Sequence, residues 1–225
     1  MKDLRPIKGR LYIEGLIAEG EHEHQDFKFM ISDARKIARS ISAFANNGGG
    51  RLLIGVKDNG AIAGVRNEED IYVVEQAAER YCRPPQQVEF TAFNTGQGTL
   101  VIRASIAASP VRPVCACDTD GSWRAYYRVA DENIAAHPLM VRAWQMRDNA
   151  SDGGLVFSLS SLESRLLDLL DEAGETGLEP QRIALGLHIS QSHADEIIVR
   201  MTAIGIISFI HTGTHFLIRR TDAES

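Results

Sequence analysis

Disulfides, membrane spans and a dominant charge are all missing from this sequence. Only three cysteines occur in 225 residues, Cys82, Cys115 and Cys117. So odd and sparse a set cannot form the disulfide framework of a small secreted domain. Cys115 and Cys117 lie two apart, so on a strand both point to one face. No second cysteine pair accompanies them, as a thiolate metal site would need, and they read as structural thiols. Apolar runs are short, such as Leu52 to Ile54, far below the roughly 20 residues that span a bilayer. The opening M-K-D-L-R-P-I-K-G-R holds no apolar stretch of the kind a signal peptide needs. A cytoplasmic location and no membrane partner are therefore expected. A net charge of −6 exerts no general pull on nucleic acid.

What is present is a soluble globular composition, 44% apolar and 24% charged. The length favours two domains, and the charge divides unevenly between them. Residues 1–158 carry 19 basic and 20 acidic side chains, net −1; residues 159–225 carry 5 and 10, net −5. The boundaries expected are 1–148 for the first domain, with its core at 20–135. A polar, glycine-bearing linker follows at 149–158, and 159–225 form the second domain.

The stretch from Gln25 to Val65 organises the first domain. Phe27, Phe29 and Ile31 alternate with Asp26, Lys28 and Met30 as in a strand. Ser32 or Asp33 caps a helix in which Ala34, Ile37, Ala38, Ile41, Phe44 and Ala45 form the apolar face. Arg35, Lys36 and Arg39 make a basic edge off that face. Asn46 to Gly50 stop the helix, because asparagine and glycine accept a left-handed C-cap. Arg51 to Val56 is apolar enough for a strand covered on both sides. Asp58-Asn59-Gly60 predicts a two-residue hairpin returning through Ala61 to Val65. A second helix follows through Ile71, Val74, Ala78 and Tyr81, halted by Arg83-Pro84-Pro85. Two hairpins come next, and a helix near His137 to Arg147 is expected to close the domain. This order is mixed α+β rather than regularly alternating. Beyond the linker, three helical patterns and a final hairpin give the order of a winged helix-turn-helix.

Four pieces together resemble the Schlafen AlbA-2, Alba-like DNA-binding domain. They are D-F-K at 26–28, A-F-A-N-N-G-G-G-R-L-L-I-G-V at 43–56, D-N-G-A-I-A-G-V at 58–65 and Y-Y-R-V-A-D-E-N at 126–133. The likeness spans residues 20–135, and a C-terminal winged helix is a familiar companion in bacterial members. It implies an Alba-like mixed α/β domain followed by a small winged helix. Two positions depart from the family, which carries glutamate at Asp26 and glycine at Ala130.

Three functions stand open on these residues. The first is nucleic-acid binding, DNA favoured, with transcriptional regulation as its output. Lys28, Arg35, Lys36, Arg39, Arg51 and Lys57, joined by Arg124 and Arg128, would contact phosphates. Gln191, Ser192 and His193 would reach base edges with Arg200 behind them, although Asp195 and Glu196 oppose a phosphate backbone. The acidity of 159–225 suits a homodimer contact equally well. No cofactor belongs to this reading. The second is the metal-dependent nuclease that the resemblance implies, with Glu21, Asp26 and Asp58 holding Mg²⁺ or Mn²⁺ and Lys28 offsetting transition-state charge. The third is a protein-interaction module. The glycines at 48–50 lack G-x-x-x-x-G-K-S/T and end a helix rather than open one, which excludes a Walker-type nucleotide site. His22 and His24 read as a solvated loop, and Trp123, Tyr126 and Tyr127 as hairpin packing.

Overall fold

A computed structural model of the chain describes residues 4–65, 69–96, 98–149 and 159–221. It comprises two compact units, one ending at Ala136 and the other beginning at His137. Among the described residues, no helix is long and apolar enough to cross a membrane. The first unit is mixed α+β with two sheets. Strands β1 (Ile7–Lys8), β2 (Gln25–Lys28), β3 (Gly49–Ile54), β5 (Val88–Gly96) and β6 (Thr99–Ala107) form a five-stranded sheet in the order β1-β5-β6-β3-β2. Strands β4 (Cys82–Arg83), β7 (Cys115–Cys117), β8 (Trp123–Val129) and β9 (Glu132–Ala135) form a four-stranded one, ordered β4-β7-β8-β9.

Helix α2 (Ala34–Asn46) touches strands of both sheets and packs on α3 (Glu69–Arg80). Its cap is the expected one: the Asp33 carboxylate accepts the Arg35 and Lys36 backbone N–H groups. Everything from Ile37 to Asn46 except Arg39 is buried, more than a one-sided helix buries, because apolar layers lie on two sides of it. Ser42 and Asn46 lie within that interior and bond to the backbone just before β7 and on β8. Asn46 accepts from Val114 N–H and donates to the Val114 and Tyr126 carbonyls, and Ser42 Oγ donates to Val114 O. Gly50 lets helix and strand approach, since a Cβ there would fall 2.2 Å from the Phe44 ring. The other face of the large sheet is half covered by α1 (Arg10–Ala18), where Ile13 and Leu16 pack on Phe27, Leu53, Phe93 and Val101.

Two local expectations are corrected. Asp58-Asn59-Gly60 does not open a two-residue hairpin, because only Gly60 takes a positive φ, of 79°. Gly60 N–H closes a turn on Lys57 O, and the return strand shrinks to a single bridge, Val56 to Ile62. The helix expected to close the first domain, α4 (Pro138–Asn149), packs on α7 (Gln191–Ala203) and lies with the second unit. Its buried Leu139, Met140 and Ala143 carry no mark of which neighbour they serve. The expected linker, apart from Asn149, lies outside the described residues. The second unit continues with α5 (Ser161–Ala173), a 3₁₀ turn at Gly174–Thr176, α6 (Pro180–Leu187) and α7. It ends in the antiparallel pair β10 (Ile207–Thr212) and β11 (His215–Arg220).

Ala130 sits at φ 53° in the tight β8–β9 turn, a conformation that suits glycine. Replacing it with glycine removes a strain of about 1–2 kcal/mol against an unfolded-state entropy cost of about 0.4–1 kcal/mol. Ala130→Gly is therefore expected to raise stability by several tenths of a kcal/mol, read as an upward shift of the urea midpoint.

Candidate nucleic-acid interface

Two charged clusters form in the first unit. The first is organised by Asp118, 1% exposed, at the start of the β7–β8 turn. Its carboxylate accepts from Arg39 Nε at 2.6 Å, Arg124 Nη1 at 2.8 Å and the Tyr126 hydroxyl at 2.8 Å. Its backbone carbonyl accepts from Arg35 Nη1 at 2.7 Å. Arg35 also lies over the Tyr81 ring and Arg39 over Tyr126, at 5.3 and 5.7 Å. Burial, with the bond to Asp118 next, pushes the Tyr126 phenol above its ordinary range. Arg39 and Arg124 keep 36% and 50% of their side-chain surface in solvent, and Lys36 beside them is exposed. One buried aspartate thus fixes three arginines, two through its carboxylate and one through its backbone carbonyl. The sequence marks the helix edge at 35–39; Asp118, 79 residues beyond Arg39, shows there only as a turn residue.

The second cluster gathers Glu21, Asp26, Lys28 and Arg128. Glu21, in the loop before β2, accepts the Phe27 N–H at 2.7 Å. Asp26, 5% exposed, meets Lys28 Nζ at 2.8 Å and Arg128 Nη1 at 3.8 Å. Lys28 also donates to Phe27 O. Burial pushes the Glu21 carboxyl above its ordinary range; hydrogen bonding to neighbouring Asp26 adds to this, and the Phe27 N–H opposes it. A raised acid contributes stability that is full below its unfolded pKa of about 4.3 and is lost as pH rises through the folded value. Glu21→Gln, whose carbonyl can still accept the Phe27 N–H, is accordingly expected to be more stable than the parent at pH 7. The gap should close toward pH 4 in denaturant titrations at both values.

Asp58 does not join that pair. It is exposed in the 57–60 turn beyond the end of β3, and among the described residues no three His, Cys, Asp or Glu side chains gather to hold a metal. The expected Glu21–Asp26–Asp58 metal set is thus not assembled. Arg128 is also corrected as a phosphate contact. At 2% exposure it lies over Phe44 at 5.0 Å, because β8 turns residues 124, 126 and 128 to one side, toward α2. Arg51 donates to Gln25 Oε1 at 2.6 Å and to Glu19, while exposed Lys57 lies over Phe29 at 5.3 Å. Tyr126 and Tyr127 are buried, and Trp123 lies under Arg83 at 4.0 Å.

The family model described as Schlafen, AlbA_2 matches residues 21–137, more than half of the chain. The chain belongs to this family. Every residue of both clusters lies inside the Schlafen AlbA_2 match, whereas Gln191, Ser192, His193 and Arg200 lie beyond it. Among solved structures, the crystal structure of the DIP2311 protein from Corynebacterium diphtheriae is similar at 21% identity and a TM-score of 0.42. The similarity covers 72% of this chain and 33% of that one, so the chain spans about a third of that protein's length. Proteins of curated function yield no match.

In the second unit, Gln191, Ser192 and His193 are exposed at the start of α7, where Ser190 accepts the His193 N–H and Gln191 bonds Asp195. Arg200 is engaged by buried Glu163. Arg219 and Arg220 pair with Glu175 and Asp171.

Proposed function

We propose that this Schlafen AlbA_2 protein binds nucleic acid, as a DNA-binding regulator, through the arginines that Asp118 holds. The observation that carries this reading is the single buried carboxylate bearing Arg39 and Arg124 with Arg35 on its carbonyl. Guanidinium groups fixed before contact lose little side-chain freedom on meeting a phosphate backbone. Lys36 adds an exposed ammonium on the same helix turn.

The second unit is read as a winged helix. Three of its five basic residues from 159 onward are ion-paired within it. That pairing supports a role in self-association more than in phosphate contact, with the exposed Gln191, Ser192 and His193 available for base edges.

Fluorescence anisotropy with labelled duplex DNA, titrated with salt, tests the phosphate surface. Lys36→Gln and Arg124→Gln are each expected to weaken binding several-fold and to make the salt slope shallower by about one. Wild-type affinity with an unchanged slope in both variants would sink the assignment.

A further inference from the structure

A separate polar hollow opens on the five-stranded sheet at the margin of α1. Register fixes which side chains share it: Arg51 on β3 is opposite Ser105 on β6, and Leu53 is opposite Arg103. Leu53 packs under α1, so Arg51, Arg103 and Ser105 stand on the same face as that helix, along its margin. With His24 and the backbone of Gly48 to Gly50 they line an open hollow of about 450 Å³.

The groups are held in place and retain donor capacity. Nη1 of Arg103 donates to the Tyr12 hydroxyl, the guanidinium lies 5.7 Å from both the Tyr12 and Phe93 rings, and Nε is shut away from solvent, so a ligand meets the terminal nitrogens. Arg51 is oriented by Gln25 and by Glu19, whose side chain is 49% exposed. His24 Nδ1 sits 2.7 Å from Gly49 O. A carbonyl only accepts, so Nδ1 carries the proton, and Nε2 of the neutral ring is an acceptor that offers an anion no donor. Glu89, the strand carboxylate opposite Ser105, lines a different hollow with Glu75 and Glu79. Two guanidiniums and a hydroxyl around one concavity suit a group with several oxygens and more than one negative charge. The shape is a hollow of seven residues rather than a track for a strand, which selects an end over a continuous backbone.

We propose that this hollow binds a phosphate monoester, supplied either by the 5′ end of a nucleic acid or by a free mononucleotide. It uses none of the residues around Asp118 and stands whether or not that surface binds.

The experiment compares a 5′-phosphorylated single-stranded oligonucleotide with its 5′-hydroxyl twin by anisotropy on the whole chain. In parallel, 5′-AMP is titrated while the backbone amides of residues 48–51 are followed by NMR. The phosphorylated strand is expected to bind about tenfold more tightly, the size of one charge-assisted hydrogen bond. Arg103→Gln and Ser105→Glu should each abolish that ratio and leave the 5′-hydroxyl affinity unchanged. Should Arg103→Gln fail to fold, Ser105→Glu carries the test by placing a carboxylate in the hollow. A 5′-AMP response at 48–51 without a strand preference, lost in Ser105→Glu, identifies the free mononucleotide as the source. Equal strand affinities together with no 5′-AMP response overturn the site. Lys36→Gln and Arg124→Gln should leave the ratio intact, which separates this result from failure of the Asp118 surface.

Discussion

Asp118→Ala is expected to destabilise the first unit by about 3–5 kcal/mol, the cost of breaking a buried ion pair from one side. The residue is 1% exposed and accepts three side-chain donors, two of them guanidinium. Alanine removes the acceptor and leaves the Tyr126 hydroxyl, on a 6% exposed residue, with no carboxylate to donate to and only the donor Arg124 beside it. Arg39 and Arg124, being partly in solvent, recover some hydration, which places the cost toward the lower end. Asp120 is the internal control. It bonds the same Arg124 at 3.1 Å but from an exposed position, so Asp120→Ala should leave the urea midpoint nearly unchanged. Urea titrations of the two variants decide the matter, and equal midpoints would show that Asp118 has no organising role. The same variants bear on binding. If the arginines work because they are fixed, a folded Asp118→Asn protein should bind duplex DNA more weakly although the substitution makes the surface less acidic. A simple charge argument predicts the opposite sign.

How far the sequence foretold this surface follows from what is local and what is not. Helix α2 was legible because its cap, apolar spacing and glycine stop all lie within about twenty residues, the range over which capping and periodicity act. The later helices and the last hairpin were legible for the same reason, with Ser190 capping α7 and Gly213 in the final turn. The partition into two sheets around α2 was not, since strand partnership is a long-range property; β4 and β9 are short and carry no alternation of their own. Site residues divide in the same way. The pairing of Glu21 with Asp26 is local and emerges as expected from the loop before β2. Asp58 fails because a turn-forming aspartate looks the same in sequence whether it caps a turn or faces a metal. Buried Asn46 read as a helix stop, and its three bonds to Val114 and Tyr126 depend on backbone 68 and 80 residues away.

Arg128 makes the sharpest separation between the charges that bind and the charges that build. Its side chain is wholly buried, with Nη2 donating to Asp131 O at 2.9 Å and Nη1 meeting Asn133 at 3.2 Å and Asp26 at 3.8 Å. Asn133 in turn donates to Ser40 of α2 at 3.0 Å. This one guanidinium therefore ties the β8–β9 turn to β2 and, through Asn133, to the central helix. Arg128→Ala is expected to cost about 3–5 kcal/mol, because it leaves Asp26 one cation, Lys28, and opens a cavity over Phe44. Arg128→Met should cost less, since it fills that space and removes the charge to be desolvated. Arg128→Lys should fall nearer to alanine than to methionine, because an ammonium cannot reproduce the planar fork that reaches Asp131 and Asn133 together. The decisive measurement joins stability to binding. A folded Arg128→Met protein should retain the parent's salt slope on duplex DNA, since a buried guanidinium releases no counterion. A slope shallower by about one would return Arg128 to the phosphate-contacting set and require the β8–β9 turn to open on binding.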